Sequence, residues 1–392
     1  MKVAQRLNGI GEYYFSQKLR EIEELNKSGE PVINLGIGSP DMPPHPDVTR
    51  VLQEESAKPN VHAYQSYKGS LVLRKAISRW YQEWYGVELN PETEILPLIG
   101  SKEGIMHVCM TYVDAGTKVL VPNPGYPTYA AAAKIAGGEV VEYRLQEKNN
   151  WFPDFEQIEK DLKLADDSHG QNILMFVNYP QMPTGQLPTK TLFEQLVAFA
   201  KKYNILVVHD NPYSFILNAH PLSLLAVADA KDYVIELNSL SKSHNMAGWR
   251  VGVICGSKQR IDDVLRFNSN MDSGMFLPVQ LAAAKALSLD KNWFDELNKS
   301  YRKRREKVFQ LLDELRCEFN KEQAGLFVWA RIPDRFHDGF ELSDKILQES
   351  RVFLTPGGIF GSEGDKFIRI SLCSTEEKFD EALQRIRQSV NH

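Results

Sequence analysis

Ile205-Leu206-Val207-Val208-His209-Asp210-Asn211-Pro212-Tyr213 is the stretch on which the fold turns. Four consecutive apolar residues give way at once to a histidine, a carboxylate, an amide and, past a proline, a phenol. A strand covered on one face alternates apolar with polar residues. A run that is apolar at every position belongs to a strand covered on both faces, as in a parallel sheet between layers of helices. Further brief apolar runs, several of them apolar at every position, lie at Lys118–Val121, at Ile173–Val177 before Asn178-Tyr179-Pro180, at Tyr233–Leu237 before Asn238-Ser239-Leu240-Ser241-Lys242, and at Val251–Cys255. Helical stretches such as Thr189–Tyr203 separate the runs. Upstream, a stripe of Leu71, Val72, Ile77, Trp80, Tyr81 and Trp84 stops at Gly86, a helix C-cap. The expected fold class is α/β: a three-layer α/β/α large domain over residues 46–290 with a mostly parallel sheet. Beyond residue 290 a long charged helix (Asn292–Arg316), strand-like runs at Gly325–Ala330 and Lys366–Leu372, and a closing helix predict a smaller α+β domain. That domain is built from both chain ends, 1–45 (with an N-terminal arm) and 291–392.

Composition narrows the function classes. Of 392 residues 43% are hydrophobic and 25% charged, the balance of an ordinary globular enzyme or binding protein. Lys+Arg 46 against Asp+Glu 51 leaves a net charge of −5, so no basic excess invites nucleic acid or anionic lipid. The basic run Tyr301–Glu306 has acidic neighbours at helical spacing and reads as a solvated helix face. No stretch approaches the roughly 18 uncharged apolar residues of a membrane span, and the first twenty residues lack the apolar run of a secretion signal. The expectation is no nucleic-acid partner, no membrane partner and a cytoplasmic location. Cys109, Cys255, Cys317 and Cys373 lie far apart without ligand spacing, and the histidines form no metal motif, so no metal is expected.

Three successive strands end in Asn178, in Asp210 with Tyr213, and in Ser239 with Lys242. In open α/β sheets the ligand crevice lies beyond the carboxyl ends of the strands. Taken singly, Asp210 reads as a turn residue before Pro212 and Lys242 as a surface lysine; their joint placement argues for a site.

The segment Ser239-Leu240-Ser241-Lys242-Ser243-His244-Asn245-Met246-Ala247-Gly248-Trp249-Arg250 resembles the Schiff-base segment of the fold-type I pyridoxal-phosphate-dependent aminotransferases (class I/II). Further motifs of that family follow the same order along residues 30–390: Ile33–Asp41 with Gly36 and Gly38, Tyr64–Gly69, Gly100–Gly104, Pro122–Tyr129, Asp210 with Tyr213, and Arg369-Ile370-Ser371. One match would be weak, but seven in order are specific. The Ser239-x-x-Lys242 spacing also fits serine acyl enzymes, yet their Ser-Asp-Asn and Lys-Thr-Gly partners are missing.

The resemblance implies pyridoxal 5'-phosphate as cofactor, with Lys242, Asp210 and Tyr213 as catalytic residues. Lys242 would hold the cofactor as an imine and act as general acid–base. Asp210 would keep the ring nitrogen protonated, and Tyr213 would donate to the ring oxygen. Ser101, Lys102, Ser239 and Arg250 would hold the phosphate, Tyr126 would stack on the ring, and Asn178 would border it. Tyr64 would reach the neighbouring subunit's phosphate, which implies a homodimer with shared sites. Arg369 and the Gly38 backbone would grip the substrate carboxylate through a fork of hydrogen bonds.

One departure stands out. The family's asparagine before Pro-Thr-Gly is Met182 here, and a thioether cannot donate to the ring oxygen; Asn178 or Gln181 would have to reach in. The segment Asn268–Gln280 lacks the arginine that some aspartate-specific relatives place there, which leans towards aromatic, methionine-like or other neutral substrates. The expected activity is ping-pong transfer between an L-amino acid and a 2-oxo acid such as 2-oxoglutarate. A C–S β-lyase on the same fold is the alternative.

Overall fold

The computed structural model describes residues 1–27, 29, 31–163 and 172–390. Twelve strands fall into three sheets: β1 (Ile33–Asn34), β2 (Ile95–Leu98), β3 (Lys118–Asn123), β4 (Glu139–Arg144), β5 (Ile173–Asn178), β6 (Leu206–Asp210), β7 (Val234–Ser239), β8 (Gly252–Cys255), β9 (Phe327–Arg331), β10 (Val352–Phe353), β11 (Thr355–Pro356) and β12 (Phe367–Ser371). The large sheet runs β2-β8-β7-β6-β5-β3-β4. Only β8 opposes its neighbours; the pairs β3–β4, β3–β5, β5–β6 and β6–β7 are all parallel. Every residue of β5, β6 and β7 is buried, as expected of strands covered on both faces. Two apolar clusters pack on the sheet. One holds Val119, Phe176, Val208 and Ile235, and the other Met175, Val177, Val207 and Val253.

The two edge strands, β2 and β4, lie outside the apolar runs read from the sequence. An edge strand needs no apolar residue at every position, and Pro97 within β2 is tolerated only where one side of the ladder is unpaired. The helices follow their local signals. Ser70 caps the helix Leu71–Tyr85 by accepting from the Leu73 N–H, and Gly86 closes it in the left-handed conformation at φ 66°. The long charged helix runs Lys291–Glu314, starting at Asp290.

β1 pairs with β10, and β11, β12 and β9 form a small antiparallel sheet. The chain after β1 is held against this sheet by the Ser371 N–H donating to the Leu35 carbonyl at 2.7 Å. A second tie is the Arg304 guanidinium, which forks onto both Asp41 oxygens at 2.7 and 2.8 Å and also reaches the Leu372 carbonyl. The loop 36–41 and the strand end bearing Arg369 therefore meet at one place. Among the described residues no helix is long and apolar enough to cross a membrane, and no cluster of side chains could hold a metal ion.

Candidate active site

A cavity of about 720 Å³ opens beyond the carboxyl ends of β5, β6 and β7. It is walled by Gly38, Ser101, Lys102, Tyr126, Asn178, Asp210, Tyr213, Ser239, Lys242, Arg250 and Arg369, all singled out in the sequence, and roofed by Tyr13, Phe15 and Leu19. Tyr64 is not among the lining residues; it stands almost fully exposed on the surface.

Lys242 sits in the turn Leu240–Ser243, which Ser239 caps through its hydroxyl. Its Nζ donates to the Gly38 carbonyl at 2.6 Å. Burial pushes the amine below the usual lysine range, and the Arg369 and Arg250 charges act the same way against the opposing Cys373. That is the setting a lysine needs to act as a base near neutrality.

Asp210 ends β6 and is 5% exposed. Its Oδ2 accepts from the Tyr129 hydroxyl at 2.8 Å, while Oδ1 has no partner among the described residues. Burial pushes the carboxyl up to about 6, against the Tyr129 hydrogen bond and the His209 charge. A folded-state value above the unfolded one means this group favours folding at acid pH and loses that contribution as pH rises through about 6. At neutral pH the ionised carboxylate therefore costs the cofactor-free fold on the order of 3 kcal/mol. Asp210→Asn in cofactor-free protein should raise the thermal midpoint at pH 8 and leave it nearly unchanged at pH 4. An equal effect at both values would contradict this origin.

Arg369 projects from β12 into a box of aromatic rings, its guanidinium carbon 3.8 Å from the Phe327 centroid, 4.6 Å from Phe360 and 5.4 Å from Phe15. Nη2 donates to the Gly36 carbonyl at 2.9 Å and Nη1 meets the Met182 sulfur at 3.3 Å, while Nε has no partner among the described residues. Burial pulls the group down to about 10, still far above neutrality, so it remains charged. Gly38 faces this box, and a Cβ there would lie 2.2 Å from Phe327 Cζ. Among the described residues no acid neutralises the buried arginine, the setting of a carboxylate receptor.

The helix Ser101–Tyr112 begins at Gly100 without a side-chain cap, so its first N–H groups and dipole face the cavity. Gly100 has φ 87°, and a Cβ on it would fall 2.0 Å from Arg250 Nη2, so only glycine lets the guanidinium close on the helix start. Ser239 and Ser241 border the same corner. Lys102 instead lies over the Tyr13 ring at 4.9 Å. The donor set fits pyridoxal phosphate: an amine, a buried carboxylate with an orphaned oxygen, and an anion cradle of helix N-terminus and arginine share one cavity.

Asn178 and Gln181 do not free an amide for the cavity. Asn178 donates to the Asp210 carbonyl at 2.6 Å and accepts from the Met182 N–H, and Gln181 is engaged with Pro124 and Thr184. The Tyr213 phenol, pushed up by burial, lines the same cavity. Sequence reasoning missed the Tyr129–Asp210 bond and the roof from the N-terminal arm. The aromatic triplet Tyr13-Tyr14-Phe15 was the only signal for the roof. The segment Asn268–Gln280 lines none of this cavity, so substrate preference has to be read from the cavity's own walls.

Residues 30–386 match the family described as aminotransferase class I and II. The chain is 37% identical over 391 residues to an LL-diaminopimelate aminotransferase of Halothermothrix orenii, covering 99% of each chain. The substrate-bound structure of BacF from Bacillus subtilis superposes with a TM-score of 0.92 at 35% identity, covering 99% of this chain and 98% of that one. An aromatic aminotransferase from Pyrococcus horikoshii superposes with a TM-score of 0.85 at 28% identity, covering 94% and 98%.

Proposed function

The chain belongs to the class I and II aminotransferases, enzymes that use pyridoxal 5'-phosphate, and we propose that it moves an amino group between a neutral L-amino acid, aromatic or methionine-like, and a 2-oxo acid such as 2-oxoglutarate in a ping-pong cycle. The observation that carries the reading is one cavity joining the Lys242 amine, the orphaned Asp210 oxygen and the uncompensated Arg369 charge.

The cofactor supplies an electron sink for charge developing at the substrate's α-carbon. Asp210, held by Tyr129, keeps a ring nitrogen protonated, and Tyr213 donates to a ring oxygen. Ser101, Ser239, Arg250 and the start of the helix Ser101–Tyr112 hold the phosphate; Lys102 stands beside them, and Tyr126 covers the ring. Arg369 and the backbone at Gly38 orient the substrate carboxylate. Lys242 takes the proton from the α-carbon and returns one. Residues 1–45 and 291–392 form the smaller lobe that brings Arg369 over the larger, 46–290; residues 28, 30, 164–171, 391 and 392 lie outside the described ones.

The side-chain end of the cavity supports the neutral substrate. The lining of the whole cavity includes the apolar and aromatic side chains of Tyr13, Phe15, Leu19, Ile37, Ile105 and Phe327, and Asp210 is the one acid among the described lining residues. Diaminopimelate carries a second ammonium that seeks an acceptor. It is the second reading, favoured by the name of the H. orenii relative and by the Lys102 ammonium at the mouth. The purified protein should be yellow, and borohydride should fix the chromophore on Lys242. A panel of donors with 2-oxoglutarate should rank phenylalanine, tyrosine or methionine above LL-diaminopimelate; the reverse order would select the second reading.

Tyr64, Tyr67, Val72, Met271 and Phe276 stand exposed. Their side chains supply an apolar face for a homodimer in which Tyr64 reaches the partner's phosphate site. Sedimentation should give twice 44.7 kDa, and Tyr64→Phe should weaken cofactor affinity several-fold. A monomer that binds the cofactor fully would overturn the shared site. Net charge and thiol usage support a cytoplasmic location and argue against a nucleic-acid or anionic-membrane partner.

A further inference from the structure

Directly before Asp210, on the opposite face of β6, lies His209, 0% exposed. Its neighbours come from four elements. Nε2 is 3.0 Å from the Tyr179 carbonyl oxygen just beyond β5, and Nδ1 is 2.9 Å from Oε2 of Glu236, its register partner on β7. The Phe193 ring from the helix Lys190–Tyr203 packs edge-on, and Tyr81 from the helix Leu71–Tyr85 reaches the same carboxylate.

A carbonyl oxygen only accepts, so Nε2 carries a hydrogen. Glu236 is also wholly buried, and it accepts from three further donors: the Tyr81 hydroxyl at 2.9 Å, the Ser223 hydroxyl at 2.7 Å and the Leu224 N–H at 3.1 Å. The Ser223 hydroxyl oxygen already accepts from the Leu225 N–H, which leaves its hydrogen for Glu236. Every one of these three partners is a donor, so a hydrogen on this carboxyl would find no acceptor among them. The proton between it and Nδ1 then resides on the ring, and both ring nitrogens donate.

We propose that His209 is a buried imidazolium, fixed by Glu236 and the Tyr179 carbonyl, and that it is a positioning residue whose charge behind Asp210 keeps that carboxylate ionised to receive the protonated ring nitrogen of the cofactor. The groups facing Asp210 are Tyr129 from the helix Pro127–Ala136, the nearby Tyr213 ring and His209 itself. A charge on His209 acts against the effect of burial on this carboxyl, after the larger effect of the Tyr129 hydrogen bond. The arrangement also ties the carboxyl ends of β5, β6 and β7 together directly beneath the site.

The inference rests on the cofactor assignment above, and its tests separate from it. In wild-type protein labelled with ¹⁵N-histidine, the His209 signals, assigned by their loss in His209→Gln, should show two protonated ring nitrogens at pH 7.5; one bare nitrogen would overturn the proposal. Pyridoxal phosphate affinity, read by fluorescence quenching, is the second measurement. His209→Gln keeps hydrogen-bonding capacity but no charge. Its dissociation constant should rise about tenfold at pH 7 and match wild type within twofold at pH 9, because the carboxylate is ionised there without help. Glu236→Gln should behave the same way. Weakening by one factor at every pH would mark a structural role and overturn the proposal. Should His209→Gln fail to fold, Glu236→Gln and the wild-type spectrum, with its residual signals assigned by the other histidines, decide. Failure of the wild type to bind pyridoxal phosphate at any pH would instead strike the cofactor assignment.

Discussion

Lys242→Ala should abolish turnover, with a loss of at least about 10⁴-fold in kcat, the upper range for removing a positioned acid–base group. Two features make the loss large. The amine is depressed by burial and by the Arg369 and Arg250 charges, so more of it is the free base at neutral pH. It also stands in the cavity with no second lysine or histidine beside it except Lys102, which lies over Tyr13 at the mouth. Cofactor binding should survive, because Asp210, Arg250 and the helix start at Ser101 are untouched. Absorbance titration with pyridoxal phosphate would show the retained binding, and stopped assays the lost turnover. Turnover within tenfold of wild type would remove Lys242 from its role.

Arg369→Leu is expected to lower kcat/KM by roughly 30- to 5,000-fold, the 2–5 kcal/mol associated with truncating one partner of a buried charge pair. The same change should leave the folded protein as stable as wild type or more so. An arginine wholly buried among Phe15, Phe327 and Phe360, with one carbonyl and one thioether for partners, carries a desolvation cost that no carboxylate among the described residues offsets. Leucine fits that apolar box. The paired readouts are steady-state kinetics and thermal midpoint. A stability loss that tracks the activity loss would mean the arginine serves the fold, and an unchanged KM would remove it from the substrate.

How far these residues could be read beforehand depended on where they sit. β3, β5, β6 and β7 announce themselves because both their faces are covered, which forces apolar side chains at consecutive positions. β4 stays silent because an edge releases that demand, whereas β2 is apolar and buried throughout but short and interrupted by Pro97, a residue that argues against a strand. Asp210 and Lys242 stand out as polar groups at the ends of apolar runs, and Arg369 through its motif. Tyr129 does not, because a tyrosine on a helix looks like core until the helix Pro127–Ala136 is laid against the sheet and its hydroxyl meets Asp210. Nor does the Met182–Arg369 contact, whose partners are far apart in sequence and meet only once β12 is placed. His209 was visible as a residue but not as a cation, since that depends on acceptors from two other chain segments.

The loop of Gly36 and Gly38 holds both principal cations of the cavity by main-chain oxygens, Arg369 at Gly36 and Lys242 at Gly38. A carboxylate seated on the guanidinium competes with the first of these oxygens for the Arg369 N–H, and only Ile37 separates that oxygen's residue from the second. The loop is therefore a shared anchor: an anion that displaces the first tether removes one of the two bonds by which these cations hold it, and the other is the bond on the amine.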